Sequence, residues 1–126
     1  MKVLQVIDQA FRTTTEEQDD AILWLTRSMR GAGADLMLLL SGHAVHYATL
    51  KQRQPPLQLG EWRQTQPADL PGDLTGLLDE GVPVYVVRDD LAERGLGDLP
   101  LHKGVTTVNR EDLAVLYEEA DQVWQW

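Results

Sequence analysis

The chain contains no cysteine. That absence excludes disulfides, thiolate metal ligands and thiol nucleophiles together. Long apolar runs are also missing, since no stretch approaches the roughly eighteen apolar residues a membrane span requires. The start, "MKVLQVIDQAF", holds one lysine and an apolar run of strand length, too brief for a secretory signal and without a small-residue cleavage site. A cytoplasmic protein with no membrane partner is expected. Positive charge is scarce, with 11 basic against 20 acidic residues and a formal charge of -9. Such a balance repels phosphate backbones, so direct nucleic-acid binding is disfavoured. There is no Gly-rich phosphate loop with a Walker lysine, and neither Ser28 nor Ser41 sits in a Gly-x-Ser-x-Gly elbow. Nucleotide binding and serine hydrolysis therefore lack support, and no cofactor is indicated.

What is present is the composition of an ordinary globular protein, 43% apolar and 25% charged. A length of 126 residues suits a single domain over residues 1–126. Strand and helix periods alternate along it. Residues 2–7 read as a strand. The segment "TTTEEQDDAILWLTRSMRGAGA" reads as a helix, with Thr14 and Glu17 or Thr15 and Gln18 as a capping box and Ala21, Ile22, Leu25 and Met29 on one face. "ADLMLLLS" is a continuous apolar run between breakers, as in a parallel strand buried on both faces. "GHAVHYATLKQ" reads as a second helix. Residues 53–73 hold four prolines and two glycines and read as a long loop, of a length that is more often functional or interfacial than idle. A short helix over residues 74–80 then precedes a strand over 82–87 and a helix over 90–94. Residues 105–108 suggest a short strand, "NREDLAVLYEEA" a helix capped by Asn109 with Leu113, Leu116, Tyr117 and Ala120 on one face, and "DQVWQW" an edge strand. Alternating strands and helices predict a three-layer α/β/α sandwich.

The succession of "KVLQVI", a capped helix, "LMLLLSGHAV", "LLDEGVPVYVVRDDLAERGL" and "LAVLYEEADQVWQW" resembles the DsrE/TusD-like sulfur-relay family over nearly the whole chain. The resemblance implies a flavodoxin-like fold with a mainly parallel sheet of about five strands. It also implies assembly into trimers or hexamers, and sulfur carried as a cysteine persulfide. In the family, the stretch matching "GVPVYVVRDDLAERGL" runs Gly-Val, strand, cysteine near the strand end, then a helix closing on Arg-Gly. Gly81-Val82 and Arg94-Gly95 fit that frame and place the carrier position at Val87. A valine cannot form a persulfide, and the family includes subunits without the cysteine that work beside subunits that have it.

In an open α/β sheet, ligands collect beyond the carboxyl ends of the strands, which makes Val87, Arg88, Asp89 and Asp90 candidate binding residues. The plainer reading of Asp90 is an N-cap of the following helix. His43 follows a strand at a helix start, where backbone N–H groups favour an anion. His43 and His46 could share a helix face, but without a third ligand they do not argue for a metal. Thr13, Thr14 and Thr15 form a hydroxyl-rich patch after the first strand. Trp62, Trp124 and Trp126 are candidate interface residues, and capping of the monomer's own core is the alternative for them. Three functions follow: a non-catalytic subunit or adaptor of a sulfur relay, in a hetero-oligomer with cysteine-bearing relatives; a homo-oligomeric module binding a small polar ligand; and an enzyme using acid-base residues at the strand end.

Overall fold

The computed structural model describes residues 1–11, 21–50, 52–53 and 55–126. The threonine patch at Thr13, Thr14 and Thr15, and the capping box with Glu17 or Gln18, lie outside the described residues. The main sheet has five strands, β1 (Lys2–Ile7), β2 (Asp35–Leu40), β5 (Val84–Val87), β6 (Thr106–Val108) and β7 (Gln122–Gln125). Their order is β6-β5-β2-β1-β7 and every pairing is parallel. β2 lies at the centre, as its unbroken apolar run requires, and pairs with β1 from Lys2↔Asp35 to Ile7↔Leu40. β7 is an edge, in keeping with its alternating residues.

Because side chains alternate across a strand, each apolar strand feeds two cores. One face, carrying Ile7, Leu38, Leu40 and Val86, is covered by α1 (Ala21–Gly31), α2 (Leu70–Asp79), a 3₁₀ segment (Gly42–Ala48) and Leu91 of α3 (Arg88–Glu93). The other, carrying Leu4, Val6, Met37, Leu39 and Val87, is covered by Leu116 of α4 (Leu113–Glu118), with Leu113 and Ala120 beside it. The result is the three-layer α/β sandwich expected, with unequal outer layers.

Several local expectations are corrected. The buried face of α1 is Ile22, Leu23 and Thr26, while Ala21 is exposed. Thr26 can turn inward because its hydroxyl donates to the Ile22 carbonyl at 2.8 Å, so no polar group is left unpaired. "GHAVHYA" forms a 3₁₀ run, not an α-helix. It buries Ala44, Val45, Tyr47 and Ala48 and ends at Thr49, whose extended backbone bridges Leu101. Gly42 opens the run at φ +54°, where an added Cβ would stand 3.0 Å from the Asp8 carbonyl oxygen. The stretch read as a structureless loop holds a hairpin, β3 (Gln58–Leu59) with β4 (Trp62–Arg63), and the start of α2. That helix begins at Leu70 because the Asp69 carboxylate accepts from the Gly72 N–H at 3.1 Å and Pro71 occupies the first turn. Asn109 makes no side-chain capping bond, and a 3₁₀ turn (Arg110–Asp112) precedes α4. Tyr117 is 38% exposed, standing about 100° around α4 from the buried Leu116. Among the described residues, no helix is long and apolar enough to cross a membrane.

Candidate functional site

The carboxyl ends of the parallel strands bring together residues far apart in sequence. At the end of β1, Asp8 accepts from the Ala44 N–H through its carbonyl at 3.2 Å. Its carboxylate accepts from Ser41 Oγ, at the end of β2, and from Gln125 Nε2 at 2.5 Å. At the end of β5, helix α3 starts directly at Arg88, with Val87 in the N-cap position. Asp90 is therefore inside the first turn and is not its cap. Its carboxylate instead accepts from the Gly42 N–H at 2.8 Å and from Arg110 Nη2 at 2.5 Å. The anion expected at the start of the "GHAVHYA" segment is thus supplied by the chain itself.

Arg110 follows β6 and gathers the neighbouring acids. Its guanidinium also donates to Glu93 at 3.0 Å, and its backbone N–H donates to Asp89 Oδ1 at 2.9 Å. The bond from that N–H, the largest influence, together with a bond from the Asp89 backbone and the charges of Arg110 and Arg88, outweighs the opposing desolvation and holds the Asp89 carboxyl below the usual carboxylate range. The carboxylates of Asp90 and Glu93, accepting from Arg110, raise the guanidinium above its ordinary value. Arg88 reaches across to Thr107 Oγ1 at 2.6 Å.

Val87 is 1% exposed and packs into the cluster of Leu4, Val6, Met37, Leu39 and Leu116. The strand-end position that the resemblance gives to a carrier thiol is therefore an apolar plug under α4. His43 is exposed and outside the Asp90–Arg110 network, and its carbonyl accepts from His46 Nδ1 at 2.8 Å. Among the described residues no group of three or more His, Cys, Asp or Glu could hold a metal ion. Trp124 and Trp126 pack against the larger core, and Trp126 Nε1 donates to the fully buried Gln5 Oε1 at 2.5 Å. Trp62 stands apart from them on the exposed hairpin.

Arg88, Asp89 and Asp90 thus gather at one strand end, with Arg110 bonded to both aspartates and Asp8 and Ser41 paired at the ends of β1 and β2, three residues that the sequence reading did not name as candidates. Asp8 and Arg110 each stand just past the end of a strand, the same positional rule that singles out residues 87–90. Phe11 was also missed. It holds φ +60°, rare for a bulky residue. Its N–H donates to the buried Tyr47 phenol at 2.5 Å, and its ring meets that of Tyr47 edge-on with centroids 5.5 Å apart.

Five parallel strands in this order, flanked by helices on both faces, define a three-layer α/β protein of the flavodoxin-like class. Neither a family model nor a curated protein matches the sequence. Solved structures do match. The ychN protein of E. coli superposes with a TM-score of 0.74 at 25% identity, over 99% of this chain and 98% of that one. MTH1491 of Methanobacterium thermoautotrophicum, a protein of unknown function, gives 0.67 at 13% identity, again over 99% and 98%. Both are DsrE-like fold proteins, and this chain shares their fold.

Proposed function

We propose that this chain is a non-catalytic DsrE-like subunit or adaptor of an intracellular sulfur relay. It binds and shapes; it performs no persulfide transfer of its own. The observation that carries the reading is Val87. The resemblance places the carrier cysteine there, and the side chain present is a buried apolar group in a chain with no cysteine to replace it. Around it the strand-end frame is kept: β5 runs straight into α3, and Asp90 ties that helix to Gly42 and Arg110. Retained geometry without the reacting atom suits a subunit whose neighbour supplies the sulfur.

Native mass spectrometry of the protein purified gently from its own cells tests this. A cysteine-bearing relative in fixed stoichiometry is the expected result. A homo-oligomer with no such partner would overturn the relay reading, and a retained small mass would then favour a ligand-binding module.

A further inference from the structure

A cleft of about 710 Å³ lies at the opposite end of the sheet from the strand-end network, where α1 and α2 finish and β2 and β5 begin. Small-molecule sites typically enclose about 300–1,000 Å³. One wall is the outer side of α1. Trp24, Arg27, Ser28 and Gly31 follow at the three- and four-residue spacings that align along a helix, turned away from the buried Ile22, Leu23 and Thr26. Tryptophan is highly buried on average, yet Trp24 is 59% exposed at the edge of this cleft. A Cβ added at Gly31 or at Gly33 would meet nothing within 4 Å, so both glycines leave open space along the lining.

Two guanidiniums and one carboxylate complete the lining. Arg27 Nε donates to Glu80 Oε1 at 2.8 Å, which sets one charge against the other. Arg30 has no such partner. Its Nε donates to the Glu80 carbonyl at 3.2 Å and its Nη1 to the Ala34 carbonyl at 3.3 Å, and among the described residues it enters no ion pair. Carbonyl dipoles thus brace this partly buried side chain across the ends of α1 and α2 without cancelling its charge, although acids outnumber bases 20 to 11 in the chain. Nη2 makes no bond among the described residues and is left as a donor.

We infer that the cleft binds a small aromatic carboxylate, with the carboxylate on Arg30 and the ring against Trp24. A guanidinium is a donor fork for carboxylate oxygens, and an indole face stacks a flat ring. Six residues of α-helix separate the two positions by about 9 Å along the axis, a span that a bicyclic acid bridges. The lining balances a single negative charge, since Glu80 already offsets Arg27, and a phosphate dianion would set its second charge beside Glu80. Lying at the amino ends of β2 and β5, the cleft is separate from Val87 and the strand-end network, so the inference goes beyond the relay reading.

The test is isothermal titration calorimetry of the purified full chain with naphthoate, with naphthamide as the same rings without the charge and acetate as the charge without the rings. Naphthoate should bind saturably at one site per chain, and naphthamide and acetate about ten-fold or more weaker. Trp24→Ala should lower naphthoate affinity about five- to ten-fold. Gly31→Leu should lower it at least as far, because the new side chain enters the cleft where nothing obstructs it. Both positions are exposed, so the circular dichroism of these two variants should match wild type. Arg30→Gln separates binding from bracing. It should lower naphthoate affinity about ten-fold and leave that for naphthamide unchanged, whereas equal losses would mean that Arg30 only braces the helices and would overturn the inference. A titration that does not saturate, equal affinity for naphthoate and naphthamide, or binding unmoved by both Trp24→Ala and Gly31→Leu would overturn it as well. So would a Trp24→Ala chain that sediments differently from wild type, since the ring would then belong to a contact between chains. None of these outcomes depends on a cysteine-bearing partner, so failure here and failure of the relay reading are read separately.

Discussion

The two faces of the sheet are built from the same strands yet covered to different depths. On the first, α1, α2, α3 and the 3₁₀ segment bury Leu70, Leu74 and Leu77 against Leu38 and Leu40. On the second, a helix of six residues contributes one buried side chain, Leu116, above Leu4, Val6, Met37 and Leu39. The first face is a core of ordinary depth that anchors the fold. The second is a thin lid, and the buried Val87 belongs to it. The strand-end network joins the two sides, since Asp90 of α3 bonds Gly42 of the 3₁₀ segment on the deep face and Arg110, which leads into α4 on the thin one.

The strongest way to break that comparison is to empty one site on each face. Leu74→Ala removes a fully buried side chain from between packed elements that cannot readily collapse, and should cost about 3–5 kcal/mol. Leu116→Ala, on a short helix free to settle inward, should cost about 2 kcal/mol. Urea titration of both variants measures the difference, and equal losses would mean that α4 is no thin lid.

Asp90→Ala comes next, since it strips the acceptor from the Gly42 N–H and one of two carboxylate partners from Arg110. A charge-assisted bond to a side chain only 13% exposed suggests a loss of about 1–2 kcal/mol. Asp90→Asn should recover part of it by keeping one acceptor oxygen. If the alanine variant melts with wild type, the strand-end network does not brace the fold.

Val87→Cys asks about access at the same strand end. The exchange removes about one methyl group, worth roughly 1 kcal/mol or less. The new thiol, 1% exposed in its parent residue, should react with a thiol reagent many times more slowly in the folded protein than a cysteine placed at the exposed His43. Comparable rates would show that the lid over the second face opens readily in solution.

The strands were legible because burial on both faces leaves an uninterrupted apolar run, and β1 is found where "KVLQVI" suggests, with "LMLLLS" as central β2. What was hidden depended on partners distant in the chain. Thr26 counts as polar in any periodic reading, and the carbonyl one turn back allows it inside. Asp90 reads as a cap until Gly42, 48 residues earlier, is found at its carboxylate. Arg110 carries only the positional signal of standing just past a strand, and its partners follow from the sheet order that sets β6 beside β5. Local rules locate elements; side-chain roles at strand ends are set by which strands become neighbours.

The smallest effect sharpens the comparison from the deep side. His102 belongs to a clamp at the far end of the 3₁₀ segment, where its N–H donates to the Ala48 carbonyl at 2.8 Å and Leu101 bridges Thr49. Its side chain is buried with no hydrogen-bond partner for Nε2 among the described residues, and desolvation lowers its pKa from the usual 6.5. The unfolded chain therefore binds a proton more readily than the folded one, and unfolding free energy rises with pH in the interval between the two values. The neutral histidine's contribution is fully present above pH 6.5 and declines as the pH falls below it, levelling off beneath the folded-state pKa. His102→Gln should flatten this part of the stability profile while leaving unchanged the loss below pH 3.8, where Asp89, held low in the folded chain, takes up its proton more readily when unfolded. Stability curves that remain parallel between pH 7 and pH 5 would show that His102 charges in the folded state without penalty, and that the deep face is wetter at this clamp than its burial indicates.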